Sequence, residues 1–285
     1  MEHILEITGL NKSYPGFSLQ DISFALPDGC ITGFIGKNGA GKTTTLKSIL
    51  GLVPNISGSI KWFGMDLSAN EKEIKERIGI VLDDGGFYDE LTLSEMKSII
   101  ASAYKSWSND DYNMYLARFS LNPKQKISTL SKGMRMKYAL ALALSHKAEF
   151  LIMDEPTSGL DPLIRNQLLE ILKEFMDNGG RGVFFSTHIT SDLDKIADTL
   201  IMIDEGHIVF LEEKDNLLDR YRIVKGDVAD LCPDTEKLLM NIDKTPFGFT
   251  AITKYADDLR KLMPDCMLER PSIEDIMLSN IKGGN

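Results

Sequence analysis

Three glycines, two lysines and a threonine stand within one run, Gly36-Lys37-Asn38-Gly39-Ala40-Gly41-Lys42-Thr43, with Thr44 following. The run fits G-x-x-x-x-G-K-[ST], the spacing of a loop that cradles phosphates. Glycines let successive backbone N–H groups turn inward toward an anion. Lys42 is placed to reach the outer phosphates and the Thr43 hydroxyl to hold magnesium. A second group, Asp154-Glu155, follows the apolar run Phe150-Leu151-Ile152-Met153. A carboxylate there can bind magnesium directly or through water, and its neighbour can polarise a water for in-line attack on a γ-phosphate. A third, Ser131-Lys132-Gly133-Met134, opens a helix: Ser131 is a fitting N-cap and Gly133 allows close backbone approach.

Particular elements must position these groups. Cys30 to Ile35 reads as a buried strand before the glycine run, and Thr44 to Leu50 as a helix stopped by Gly51, whose N-terminus adds partial positive charge. Phe150 to Met153 fits a strand buried on both faces of a parallel sheet. Asp161 and Pro162 start a helix with Leu168, Leu172, Phe175 and Met176 on its apolar face. Val183 to Phe185 and Leu200 to Ile203 are further strands, and the alternation predicts a mainly parallel α/β sheet. Short strands are expected at Leu5–Leu10, Phe17–Leu19, Ile22–Leu26, Ile60–Phe63 and Ile78–Leu82, with a charged helical turn at Glu71–Arg77. Residues 90–146 are helical in pattern, with Tyr112, Tyr115, Leu116 and Phe119 packing inward. The division expected is a nucleotide-binding domain at 1–217 and an accessory α/β domain at 218–285. In the latter, Tyr221–Val224 and Phe247–Ile252 read as strands. Ser272, with Asp275 three residues on, caps a last helix bearing Ile273, Ile276, Met277 and Ile281.

The chain has 285 residues, 43% of them hydrophobic, enough for a sizeable core. No apolar run approaches the roughly 18 residues that span a bilayer. The start, Met1 to Glu6, has neither the basic end nor the apolar centre of a signal peptide. Cys30, Cys232 and Cys266 lack metal-ligand spacing and suit a reducing cytosol. A net charge of −10 argues against a general nucleic-acid binder.

Taken in order, the phosphate loop, Ser131-Lys132-Gly133-Met134, Met153-Asp154-Glu155-Pro156, Ser158-Gly159-Leu160-Asp161 and Ser186-Thr187-His188 resemble the motif series of an ATP-binding cassette (ABC) transporter's nucleotide-binding subunit. The likeness is to the ABC-2 exporter type, and is similar to the ATPases of phenol-soluble modulin and bacitracin-resistance exporters. It implies a RecA-like P-loop core with an antiparallel β subdomain and a helical subdomain. ATP and Mg²⁺ are the implied cofactors. Tyr14 sits where an aromatic stacks on adenine. Glu155 stands as the general base or the residue that orients the attacking water, and His188 as the switch histidine on the γ-phosphate. Ser131 and Gly133 would bind the γ-phosphate held by a second subunit's loop, and Asp161 lies in the loop that crosses to it. The implied unit is a homodimer or heterodimer with ATP at a head-to-tail seam. It would work at the cytoplasmic face of the membrane on two permease subunits, through a coupling helix near Asp83 to Met96, among Phe87, Tyr88, Leu91, Met96 and Met114.

Two positions depart from the family pattern. Asp83 stands where a magnesium-sensing glutamine is usual, and is expected to face the metal, directly or through water. Lys132 replaces the first glycine of the Ser131 motif, with Met134 in place of glutamine; the lysine either adds charge near the partner-held phosphate or points to solvent. One rival reading is a soluble ABC ATPase acting on nucleic acid or ribosomes. The chain carries one cassette rather than two, and Gly51 to Leu130 shows no sustained heptads. Another is a regulatory module that binds ATP without hydrolysing it, against which Asp154, Glu155 and His188 argue.

Overall fold

The computed structural model describes residues 3–282 apart from 55, 84 and 85; Met1, Glu2, Asp84 and Gly85 lie outside the described residues. β1 (His3–Tyr14) and β2 (Phe17–Pro27) form a long hairpin. The two short strands expected over Phe17–Leu26 are one, because Asp21, at φ 49, takes up the kink while pairing with β1 continues. β3 (Cys30–Ile35) feeds the glycine loop and α1 (Lys42–Ile49). β4 (Ser57–Trp62) and β5 (Met65–Asp66) return to the hairpin. α2 (Leu67–Arg77) starts earlier than the charged turn predicted, because the Asp66 carboxylate accepts from the Ser68 N–H at 2.9 Å; β6 (Ile78–Val81) follows.

The helical span resolves into α3 (Leu93–Ala101), α4 (Asn109–Arg118) and α5 (Lys132–Ser145). Thr92 and Glu95 close a capping box on α3. The hydroxyls of Tyr112 and Tyr138 both donate to the Leu93 carbonyl, at 3.3 and 2.8 Å, tying α4 and α5 to the start of α3. Burial pushes both phenols up, Tyr112 to about 12.

β7 (Phe150–Asp154), α6 (Pro162–Asp177), β8 (Gly182–Thr187), α7 (Thr190–Ile196), β9 (Thr199–Asp204), β10 (His207–Glu213) and α8 (Lys214–Arg220) complete the body. Its central sheet has the order β10-β9-β3-β8-β7-β6, parallel except for β10 at one edge. Phe150 and Ile152 point into the core shared with the hairpin sheet, Leu151 and Met153 into the core shared with α5 and α6. Burial of both faces is why this strand is apolar without alternation.

β11 (Arg222–Gly226), α9 (Pro233–Glu236), β12 (Met240–Thr245), β13 (Gly248–Thr253), α10 (Ala256–Leu262), β14 (Met267–Glu269) and α11 (Ile273–Lys282) follow. The strands make an antiparallel sheet, β12-β13-β11-β14, over a small core of Val224, Phe249, Ala251, Leu259 and Met263. The division expected at 217/218 falls inside α8. Leu217, Leu218 and Tyr221 belong to the body's core, and so do Ile273, Ile276 and Met277 of α11, which lies against α7. The Ser272–Asp275 capping box that starts α11 was legible in advance; its return to the body was not.

Candidate functional site

The glycine loop is shaped by what surrounds it. A Cβ on Gly36 would sit 2.3 Å from the Ile203 carbonyl oxygen, so no larger residue fits. Gly41, the N-cap of α1, is at φ 117, ψ 2. α1 has neither a capping side chain nor an acidic residue in its first turn, which leaves its N-terminal N–H groups for an anion. Lys42 is buried, 6% exposed. Its ammonium donates to the Gly36 carbonyl at 2.8 Å and lies 3.3 Å from Glu155 Oε1. Ala40 is also buried, donating to the Lys37 carbonyl, and is scaffold for the loop.

At the carboxyl end of β7, Asp154 is buried and accepts from the Ser186 hydroxyl. Glu155 stands at φ 48, a left-handed conformation unusual for a side-chain-bearing residue. Its N–H donates to the Ser186 carbonyl and hydroxyl at 3.0 and 3.1 Å, which fixes that turn. The turn aims the carboxylate between two cationic or proton-bearing groups: Oε2 is 2.7 Å from His188 Nδ1 and Oε1 is the atom facing Lys42.

Gly41, Lys42, Glu155 and His188 line one hollow of about 630 Å³, together with Phe17, Asn38, Gly39, Thr43, Thr44, Asp83 and Ser158. An adjoining hollow, sharing Phe17, Asn38 and Gly39, holds Tyr14 and Lys37. Tyr14 is exposed, with the Lys12 ammonium 5.0 Å from its ring centre. Lys37 is drawn aside by Asp204 and Glu205, each at 3.2 Å. Phe17 carries no site role in the sequence reading, and Ser158 enters it only within the Ser158-Gly159-Leu160-Asp161 motif; Phe17 reaches the hollow by pairing with Tyr14 at the hairpin turn.

No group of three or more His, Cys, Asp or Glu able to hold a metal exists among the described residues. Thr43 and Asp83 in the hollow and Asp154 beside it are oxygen donors. Such a sparse, hard set fits magnesium that arrives with phosphate oxygens and keeps its waters.

Other predicted residues lie outside the hollow. Ser131 caps α5, accepting from the Met134 N–H at 3.3 Å, and Met134 packs against the core. Gly133 is buried where a Cβ would stand 2.7 Å from Ile164 Cδ1, so it serves the packing of α5 on α6. Asp161 caps α6, accepting from the N–H groups of Leu163 and Ile164 at 3.0 Å. Lys132 is exposed, and its ammonium is 2.8 Å from Asp83 Oδ1. Of the residues expected to face a permease, Met96 is core and Met114 lines a separate hollow beside α6. Phe87 lines an apolar groove of about 360 Å³ with Leu82, Ile99, Ile100, Tyr104 and Leu142.

A family model described as ABC transporter matches residues 19–158. The bacitracin transport ATP-binding protein BcrA of Enterococcus faecalis is 32% identical over 212 residues, covering 73% of this chain and 69% of that protein. BcrA of Bacillus licheniformis is 34% identical over 226 residues, covering 78% and 74%. A solved structure of an ATP binding subunit of an ABC transporter superposes with a TM-score of 0.68 at 29% identity, covering 76% of this chain and 92% of its own. No helix among the described residues is long and apolar enough to cross a membrane.

Proposed function

The chain belongs to the ABC transporter family of ATP-binding proteins, as an ATPase coupled to transport, and from that premise we propose how its site works. Mg-ATP occupies the hollow over the glycine loop, with adenine toward Tyr14 and the phosphates on the N–H groups at the start of α1. Magnesium, held by Thr43, Asp154 and Asp83, would offset charge on the phosphate oxygens. Lys42 and His188 exchange their hold on Glu155 for phosphate oxygens, and the released carboxylate takes the proton of the attacking water or orients that water. Ser131, Lys132, Gly133, Met134 and Asp161, outside their own hollow, belong to a site shared with a second ATPase subunit, like or unlike, across a head-to-tail seam. ATP closes the seam, and hydrolysis loosens it. The groove beside Phe87 seats a coupling helix of a permease subunit, one of two, which keeps the ATPase at the cytoplasmic face of the membrane. Likeness to bacitracin transport proteins supports export of a peptide, antibiotic or lipid-like molecule.

One observation carries this reading: the Glu155 carboxylate held between Lys42 and His188 at the end of β7. Steady-state ATPase assays on Glu155→Gln and His188→Ala test it. Turnover should collapse in the first and fall strongly in the second; unchanged turnover in both removes the catalytic assignments.

A further inference from the structure

We propose that Lys132 competes with divalent cation for the carboxylate of Asp83, so that this ion pair sets how much magnesium the nucleotide site requires. The inference rests on the reading above that Asp83 faces the metal. The two residues are the chain's two charged departures from its family pattern, and they meet: Nζ of Lys132 is 2.8 Å from Oδ1 of Asp83. Asp83 shares a hollow with Lys42, Thr43 and Glu155, whereas Lys132 opens α5 outside it. The lysine stem also crosses the loop between β7 and α6. A Cβ on Gly159 would lie 3.5 Å from its Cδ and 3.6 Å from its Nζ. A single side chain thus touches the segment after β6, the start of α5 and the loop after Glu155.

Helix electrostatics do not account for a lysine at that place. The N-terminus of a helix carries partial positive charge and disfavours a cation, and α5 has no acidic residue in its first turn to compensate. The counter-charge comes from Asp83. Both side chains are half exposed, 43% and 50%, so solvent screens the pair and it is worth a factor of about 1.4 to 5 in an equilibrium. Such a pair holds Asp83 in place without trapping it. A divalent cation taking the carboxylate repels the adjacent ammonium, and the lysine leaves. Loading of the hollow is thereby reported to the start of α5, beside Ser131, on the surface proposed to meet a second subunit.

The test titrates Mg²⁺ at fixed fluorescent non-hydrolysable ATP analogue (mant-AMPPNP) and reads the cation concentration that gives half-maximal binding. The full chain is compared with Lys132→Met, Asp83→Asn and the double variant, each checked for an unchanged thermal midpoint. Lys132→Met should lower the Mg²⁺ midpoint about 1.4- to 5-fold, and Asp83→Asn should raise it. In the Asp83→Asn background, Lys132→Met should change nothing. A shift with Asp83→Asn but none with Lys132→Met overturns the competition and leaves Asp83 at the metal. An equal Lys132→Met effect in both backgrounds overturns it too, since the lysine would act through its general field. No shift in any variant removes the metal reading of Asp83 and the competition with it.

Discussion

On the glycine-loop side of the molecule, Lys42 and Asp154 are 6% and 5% exposed, and Gly36 lies against the Ile203 carbonyl of the neighbouring strand β9. At the open ends of α5 and α6, Ser131, Lys132 and Asp161 are exposed, and their side chains make two caps and a surface ion pair. The first region is built into the core, so changes there disturb folding as well as chemistry. The second is local, so its chemistry can be altered with little cost to the fold, and its effect belongs to the assembly rather than to the single chain.

The largest effect expected lies on the glycine-loop side. Glu155→Gln should lower ATP turnover about 10²- to 10⁴-fold, about 3–5 kcal/mol of barrier, while nucleotide binding persists. Loss of binding along with turnover would break the contrast between cradle and catalyst. Gly36→Ala should destabilise the fold by about 1–3 kcal/mol in urea unfolding, because the added methyl meets backbone. An unperturbed midpoint would show that the loop is less bound to the core than the geometry requires. Ser131→Ala sharpens the other side. It should cost about 1 kcal/mol through the lost cap. In a Glu155→Gln background it should weaken ATP-driven association in sedimentation velocity while leaving single-chain nucleotide affinity alone. An equal loss of that affinity would place Ser131 in its own chain's site.

The smallest effect concerns a group apart from both surfaces. His146 is buried and stacked on Tyr104, ring centres 3.9 Å apart, and burial holds its pKa below the ordinary 6.5, partly opposed by the nearby Glu76. As pH falls below 6.5 the unfolded chain takes the proton first, so stability is full above that value and declines beneath it. The slope should not exceed about 1.4 kcal/mol per pH unit. Thermal melts from pH 7.5 to 5 on the native chain and His146→Phe should show a steeper acid decline in the native chain; parallel curves would refute it.

Legibility in the sequence followed locality. The glycine loop, the run into Asp154-Glu155, and the caps Asp161-Pro162 and Ser272-Asp275 are each contained in a few consecutive residues, and local geometry follows from them. The Asp83–Lys132 pair was not readable, because its members come from a loop and a helix that only tertiary packing brings together. Met96 and Met114 share a helical pattern with groove residues, and only the packing of α3 and α4 separates core from rim. β14 went unread because it is three residues long, and β12 because its second half, residues 243–245, is exposed and polar, which leaves too little apolar alternation to mark a strand.

The seating of α11 against α7 has a consequence for biosynthesis. Ile273, Ile276 and Met277 share a core with Ile31 and Ile35, so the interior begun near the amino end is closed only after the carboxyl-terminal helix has left the ribosome. Until then the nascent polypeptide carries an uncovered greasy patch on α7, open to chaperones and to sticking.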